Sequence, residues 1–220
     1  MNELIFLVYI VFVVMSSLGA LFLGKEALVG LICIKVILMN LLVPQEIMLF
    51  GLSATSVDAL AVGTSLSLNL LNEYYGKTEA LRAVTISSFA GLFYVCVTLL
   101  HRAYIPAPHD IYACHITPLL ALAPRIIAAS FFAYILNQKL EAKLYAYLKT
   151  SRLSRYFMIR NYASLCITQL LDTILFSYLG LYGILANIPQ VIFLAYTIKI
   201  ITILFAVPLL GLARFIKDKN

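Results

Sequence analysis

Ionisable side chains inside apolar stretches are the residues of this chain whose type and position could do chemistry. Six of them occur, and both signs of charge are represented: Lys35, Asp58, Glu73, Arg125, Asp172 and Lys199. A charge at the centre of a lipid bilayer costs at least about 2.5 kcal/mol and is tolerated only in the protein interior or in a wet cavity. Interior charges of both signs therefore predict a site that binds a polar molecule.

One segment places three polar residues on a single helical face. Asn69, Asn72 and Glu73 lie three to four positions apart in the stretch NLLNEYYG, so their side chains are neighbours on a helix. The competing interpretation is a helix end among lipid headgroups, where a glutamate is cheap to place.

A second segment has the same spacing closer to the middle of the membrane. Its shared face carries Gln169, Asp172, Thr173 and Phe176. Lys199 lies about eleven residues into the last apolar segment, close to the midplane at a rise of about 1.5 Å per residue. Arg125 is predicted about nine residues, at the same rise, below the outer surface. A structural salt bridge from Asp172 to Lys199 or to Arg125 is the alternative to ligand binding, and the two are compatible.

The remaining two ionisable residues fit the site less well. Lys35 belongs to a short helix from which its long side chain can snorkel to the membrane surface. Asp58 lies near the outer end of its helix. Both are therefore left outside the predicted site.

The composition indicates a protein embedded in lipid. The chain has 220 residues, of which 63% are hydrophobic and 12% charged, and its mean hydropathy is +0.98. Apolar runs of roughly 17–25 residues recur from end to end, which is typical of transmembrane helices. The net charge of +6 and the pI near 9.1 do not indicate nucleic-acid binding, because the basic residues lie in loops between apolar segments.

The pattern predicts an all-α polytopic membrane protein with seven helices. They are expected near residues 4–23, 27–43, 57–75, 79–100, 116–147, 160–182 and 188–215. Residues 44–56 are expected to form a loop or a re-entrant stretch, and Pro124 is expected to kink the fifth helix. The start of the chain lacks a basic region and predicts an uncleaved first helix, so the chain is divided into an N-terminal transmembrane helix, residues 1–26, and a membrane domain, residues 27–220.

Lysine and arginine are distributed unevenly between the predicted loops. Residues 137–160 hold six of them and the tail after residue 213 holds three, while Arg102 alone falls on the opposite side. Basic loops stay in the cytoplasm, so the expected location is the cell inner membrane, with the N-terminus outside and the C-terminus inside.

Two possible motifs are rejected. Gly76-Lys77-Thr78 imitates the end of a phosphate-binding loop, but Leu71 stands where that motif needs a glycine and no strand precedes it. His101, His109 and His115 share a proline-rich loop, and their spacing matches no familiar metal site. Neither a metal nor another cofactor is therefore expected.

Four stretches in order resemble the queuosine-precursor transporter family of vitamin uptake transporters. The family is related in fold to the substrate-binding subunits of energy-coupling-factor importers. The resemblance covers roughly residues 30–215. The similar stretches are NLLNEYYGKTEALR from Asn69, RIIAASFFAYILNQKLE from Arg125, RNYASLCITQLLDTILF from Arg160, and the last helix with Lys199 and Pro208. The sequence departs from the family at two positions. Asn69 stands where the family usually has an aspartate, and Glu141 is a conservative replacement of another usual aspartate. The first helix lies outside the six-span family core.

The resemblance implies import of 7-deazaguanine bases such as preQ0, preQ1 or queuine for tRNA modification. A carboxylate can accept from the ring N–H and the exocyclic amine side by side, while a cation or an amide donates to the ring oxygen. Phe176, Phe132 and Tyr134 are candidates for an apolar platform under the ring. The predicted substrate-binding residues are Asn69, Asn72, Glu73, Arg125, Gln138, Gln169, Asp172, Thr173, Phe176 and Lys199.

Two other functions stay open at this point. One is import of a different small vitamin-like solute on the same fold. The other is an intramembrane enzyme, which is disfavoured because no histidine lies inside a predicted span. The expected partners are the small solute and the lipid bilayer, with no nucleic acid; a homo-oligomer or a separate energising partner is compatible with the sequence.

Overall fold

Seven α-helices make up nearly all of the described part of the computed structural model. It describes residues 1–43, 45–55, 57–107, 110–111, 120, 124–183 and 188–213, of which 46, 52–54, 124–127, 152–153 and 181 are described by backbone alone. The helices are α1 (Asn2–Leu23), α2 (Lys25–Leu42), α3 (Asp58–Tyr75), α4 (Lys77–Arg102), α5 (Pro124–Thr150), α6 (Phe157–Phe176) and α7 (Ile188–Leu210). A short 3₁₀ turn, Arg152–Arg155, precedes α6, and a π-helical turn, Ser177–Leu181, continues it.

A small antiparallel hairpin joins α2 to α3, where the sequence predicted only a loop or a re-entrant stretch. Its strands are β1 (Glu46–Leu49) and β2 (Leu52–Thr55), paired from Glu46 with Thr55 to Leu49 with Leu52. Phe50 and Gly51 form the two-residue turn, and both have positive φ. The Asn2 side chain donates to the Met48 carbonyl at 3.1 Å, so the hairpin is tied to the start of α1. We call this end of the bundle the hairpin end.

Helix α3 is the central element of the bundle. Fourteen of its eighteen residues are buried, and it packs against α1, α2, α4, α5, α6 and α7. Most of its buried polar residues, among them Thr64, Ser67 and Asn72, form hydrogen bonds inside the protein. Polar atoms away from water need such partners, and a central helix can find them on every side.

The first helix is packed into this bundle against α2, α3 and α7. Gly63 on α3 lets α1 approach, because a Cβ at that position would clash with the Cγ1 atom of Val13. The boundary at residue 26 and the description of α1 as an extra helix stay predictions. In the structure, however, α1 is packed as closely as the other helices, because it shares a buried core with α3 and α7.

The predicted all-α membrane architecture is confirmed. Among the described residues, four helices have the length and apolar character to cross a membrane by themselves: α1, α4, α6 with its continuation to Gly180, and α7. The predicted kink of the fifth helix at Pro124 stays a prediction, because α5 is described from this residue onward and residues 121–123 lie outside the described part of the chain. Pro208, by contrast, lies inside α7.

Candidate functional site

A cavity lies inside the bundle toward the hairpin end. Its volume is about 190 Å³, and the end of α2, the start of α3, and residues of α5, α6 and α7 line it. One water molecule needs about 10–15 Å³ by the same measure, so the space suits a small organic molecule. Six of the ten predicted binding residues line it: Gln138, Gln169, Asp172, Thr173, Phe176 and Lys199.

Helices α6 and α7 present an ion pair to this cavity. Lys199 Nζ lies 2.7 Å from Asp172 Oδ2, with the lysine side chain 7% and the aspartate side chain 22% exposed. The lysine is therefore more deeply buried than its partner. Ala195 and Val191 precede Lys199 by four and eight residues and line the same wall, as one face of α7 should. The predicted pairing of Asp172 with Lys199 is thus present, and it borders the space where a ligand would bind.

A serine of the central helix holds two glutamines of the wall. The side-chain amides of Gln138 and Gln169 each donate to Ser65 Oγ at 3.1 Å. The hydroxyl oxygen has two lone pairs and can accept both. Neither glutamine's Oε1 atom has a hydrogen-bond partner among the described residues, although both side chains are buried.

Buried acceptors without partners are a general feature of the cavity wall. Besides the two glutamines, Asn137 Oδ1 and Asp58 Oδ2 are unpaired within the described part of the chain. All four are acceptor oxygens, and all four belong to residues that line the cavity. A buried acceptor that lacks a donor costs about 1–3 kcal/mol. The wall is therefore complementary to a ligand that carries several N–H groups.

Aromatic side chains supply the apolar part of the wall. Phe176 and Tyr134 line the cavity as expected, together with Phe131. The Tyr134 hydroxyl is 2.8 Å from Ser87 Oγ, which fixes its ring against α4. Phe132 is 56% exposed and lies outside the lining, so its proposed platform role is wrong. Phe131 and Phe132 are successive residues of α5 and point in different directions, and of these two only Phe131 lines the cavity.

Asp58 lines the cavity although sequence reasoning left it outside the site. It occupies the first turn of α3, is 5% exposed, and interacts electrostatically with Lys199. Its position near a helix end suggested a headgroup location. The hairpin and α7 cover that end, however, so the side chain is enclosed.

The predicted face on α3 lies at the opposite end of the bundle. Asp58 and Glu73 are fifteen residues apart on one helix, which is roughly 22 Å. Asn69 donates to Asn161 Oδ1 at 3.1 Å and to Ser164 Oγ at 3.3 Å, while Asn72 donates to a carbonyl of α5 at 2.7 Å. The three residues do share a face, but they do not line the cavity.

Glu73 is the centre of a cluster of polar residues that we call the Glu73 cluster. It comprises Glu73, Tyr145, Lys149, Arg160 and Asn161. Glu73 accepts from Arg160 Nη2 at 2.8 Å and from the Tyr145 hydroxyl at 3.1 Å, and it lies 3.9 Å from Lys149 Nζ. The Arg160 guanidinium also lies over the Tyr145 ring at 5.7 Å.

The Glu73 cluster also completes the end of α3. Lys149 Nζ donates to the carbonyls of Asn72 and Glu73 in the last turn of α3, and the Asn72 carbonyl also accepts from the Gly76 N–H. The Asn161 amide donates to the Tyr145 hydroxyl at 3.4 Å. Helices α3, α5 and α6 are therefore joined at this end by hydrogen bonds and charge.

Lys35 is buried in the interior and does not snorkel. Its Nζ atom donates to Ser17 Oγ at 2.7 Å, to Ser67 Oγ at 2.9 Å and to the Gly63 carbonyl at 3.1 Å. The side chain is 2% exposed. The close approach of α1 to α3 at Gly63 brings these three acceptors around the Lys35 ammonium, which is therefore paired inside the bundle.

Arg125 lies in the first turn of α5, and its side chain is outside the described residues. Ser65, Asn137 and Asp58 were missed by the sequence reasoning. A signal for Ser65 was available, since it lies one turn before Asn69 on the same face of α3. Asn137 is likewise adjacent to Gln138, but adjacent residues diverge on a helix, and only the cavity's position shows that both reach it.

Known proteins give this arrangement a context. The family model described as putative vitamin uptake transporter matches residues 59–213. A protein of Bacillus subtilis (strain 168), named as a probable queuosine precursor transporter, is 31% identical over 192 residues, which cover 86% of this chain and 82% of that protein. No solved structure is matched significantly. The chain belongs to the vitamin uptake transporter family.

Proposed function

We propose that this protein imports queuosine precursors, which are 7-deazaguanine bases, and that the cavity at the hairpin end binds them. The similar protein of Bacillus subtilis bears the name of such a transporter, and its match covers most of both chains. The substrate crosses the membrane chemically unchanged, so the protein is a carrier and not an enzyme. A homo-oligomer or an energising partner is compatible with this activity.

The observation that carries the proposal is a set of four acceptors on the cavity wall that have no donor in the described part of the chain. They belong to Asp58, Asn137, Gln138 and Gln169. A 7-deazaguanine presents its ring N–H groups and exocyclic amine as donors, so it can satisfy several of these atoms together. A solute that carries mainly acceptors would leave them unpaired.

The ion pair supplies the opposite polarity for the single strong acceptor of the base. The Lys199 ammonium has three N–H groups, one of which is directed at Asp172. A second can donate to the ring oxygen, while the carboxylate accepts from the neighbouring N–H. Phe176, Phe131 and Tyr134 offer apolar contact to the flat ring.

The lysine and arginine distribution supports capture from outside the cell. The predicted orientation puts the hairpin end on the outer side of the inner membrane and the Glu73 cluster on the cytoplasmic side. Single cysteines at positions 2, 48, 108 and 186, in a background without the native cysteines, should react with an impermeant reagent in intact cells. Cysteines at 25, 77, 152 and 219 should react only after permeabilisation. Labelling of 152 in intact cells would reverse the orientation.

Uptake of labelled bases tests the function directly. Cells that lack their own 7-deazaguanine synthesis and transporter should accumulate the label, and form queuosine in tRNA, only when they express this chain. Labelled adenine serves as a matched control, because its Watson–Crick edge has one donor where the deazaguanine edge has two. Normal amounts of protein in the membrane with no gain in uptake of any deazaguanine would contradict the proposal.

A further inference from the structure

The charges around the cavity do not balance. Its described lining contains two carboxylates, Asp58 and Asp172, and one ammonium, Lys199. The ammonium is 2.7 Å from Asp172 Oδ2, so that pair is closed. Asp58 takes part in no ion pair within the described ranges. The described wall therefore carries one carboxylate in excess.

Among the acidic side chains that line the cavity, Asp58 is also the one with an unused oxygen; Glu141, which has another, lies outside the lining. It is 5% exposed, and its Oδ2 atom has no hydrogen-bond partner in the described part of the protein. A buried charge is costly without a compensating partner. Its position in the first turn of α3 favours a negative charge, because the helix dipole is positive at that end.

The neighbouring groups share this need for donors. Asn137, Gln138 and Gln169 line the same cavity, and each has a buried carbonyl oxygen with no hydrogen-bond partner among the described residues. An ammonium group has three donors and no acceptor. It therefore matches a site made of one carboxylate and several amide oxygens better than any neutral group does.

We propose that Asp58 forms a subsite for a positively charged amino group of the ligand. This inference rests on the proposed function and refines it: among 7-deazaguanines, the protein prefers those with a basic aminomethyl substituent to those with a neutral nitrile. The ring edge is then read by Lys199 and Asp172, and the substituent by Asp58. Two carboxylates of the same cavity thus have different tasks, because one is already paired and the other is not.

Competition binding to the purified protein tests the subsite. The wild type should bind the aminomethyl base at least about tenfold more tightly than the nitrile base, since hydrogen bonds between charged groups are about twice as strong as neutral ones. Asp58→Asn keeps the shape and removes the charge. It should weaken binding of the aminomethyl base about tenfold while binding of the nitrile base stays within about twofold. Retained nitrile binding also shows that the variant is folded.

Matched variants and ions separate this subsite from its alternatives. Glu79→Gln removes a carboxylate from the half-exposed Lys25–Glu79 pair and should leave the ratio of the two affinities unchanged. If Asp58→Asn weakens both ligands equally, Asp58 does not read the substituent. A strict requirement for sodium, tested against choline, would assign Asp58 to a metal cation and overturn the proposal.

The wild-type measurement keeps the inference falsifiable even if the variant does not fold. Equal affinity of the wild type for the two bases would overturn the Asp58 subsite and leave the proposed function intact. Failure to bind either base would instead contradict the proposed function.

Discussion

The two polar regions of this bundle use the same kinds of side chain and differ in how completely these are paired. In the Glu73 cluster, one carboxylate meets a guanidinium, an ammonium and a phenol, and the lysine also caps two helix carbonyls. Its charged groups are thus paired with one another, and only Arg160 Nε lacks a partner among the described residues of the cluster. In the cavity, one carboxylate is paired, one is not, and three amide oxygens have no donor among the described residues. The first arrangement joins helices, whereas the second leaves room for a ligand to complete it.

The two regions should therefore differ in whether a substitution lowers the stability of the fold or the affinity for the ligand, which the sequence alone does not show. Removing a group from a completed cluster strands its buried partners, so the cost falls on folding. Removing a group that a ligand would satisfy affects the apparent affinity much more than the fold. Variants of the Glu73 cluster should therefore lower the melting temperature more than the uptake. Variants of the cavity should lower the uptake more than the melting temperature.

The largest effect is expected at Arg160. Arg160→Met leaves Glu73 without its closest cation and removes the contact with Tyr145. The protein should lose about 3 kcal/mol of stability, the lower end of the range for a broken buried pair, because Glu73 is 20% exposed. Thermal unfolding in detergent measures this loss.

Lys149→Met is the matched control for the guanidinium. Its side chain is 36% exposed and its Nζ lies 3.9 Å from the carboxylate, so the loss should be smaller than at Arg160. Any folded Arg160→Met protein should bind a 7-deazaguanine with the affinity of the wild type. Weaker binding without a change in stability would connect the Glu73 cluster to the ligand.

The next effect concerns the ion pair of the cavity. Lys199→Met strands the Asp172 carboxylate, and Asp172→Leu strands the ammonium, so each alone should destabilise the fold by up to about 3 kcal/mol. The double variant replaces the pair by apolar groups and should restore the melting temperature. Uptake should stay absent, because the ligand loses both groups that read its ring edge. Recovered uptake in the double variant would reduce the pair to a structural role.

A smaller effect is expected from the isosteric change Asp172→Asn compared with Glu73→Gln. Asp172→Asn should weaken ligand binding about tenfold, or about 1.4 kcal/mol, through loss of a charged acceptor. Glu73→Gln should lower the melting temperature and leave the affinity unchanged, because Glu73 does not line the cavity. Titration of purified variants, normalised to folded protein, measures both. A tenfold loss of affinity in Glu73→Gln would support its predicted place in the binding site.

The sequence was sufficient to predict the helices and the depth of their charged residues in the membrane. It was insufficient to predict which helix faces contact one another. Apolar runs located the described helices to within a few residues, except at the end of α6, and the predicted start of the fifth helix at residue 116 lies outside the described residues. Residue counting placed Asp172 and Lys199 at a similar depth, and their pairing follows from depth and charge. Asn69, Asn72 and Glu73 were correctly assigned to one face of α3. A central helix has neighbours on all sides, however, and periodicity alone does not show which of them borders a cavity.

The hairpin was not predictable from its turn. A two-residue hairpin needs positive φ at both central positions, and Asn-Gly or Asp-Gly is its usual signal. Here Phe50 takes the first position with φ 52° and Gly51 the second with φ 77°. A phenylalanine with positive φ is strained, so the sequence Phe50-Gly51 does not predict the turn that these two residues form. The contacts of β1 with Asn2 and Glu3 at the start of α1 help to hold it there.

The smallest effect should come from Lys35, the ionisable residue that resembles neither region. Each of its three N–H groups has an acceptor, and none of those acceptors is a carboxylate. Ser17 and Ser67 also donate to backbone carbonyls of their own helices, so they keep partners if the lysine is removed. Lys35→Met replaces a buried cation by an apolar side chain of similar length, a change that is often neutral or stabilising. The melting temperature should therefore stay the same or rise, and uptake should be unchanged. Lys199→Met is the matched control, because it removes the same side chain from a site with a carboxylate partner. If Lys35→Met loses uptake at normal stability, then Lys35 takes part in transport even though all three of its N–H groups are paired inside the protein.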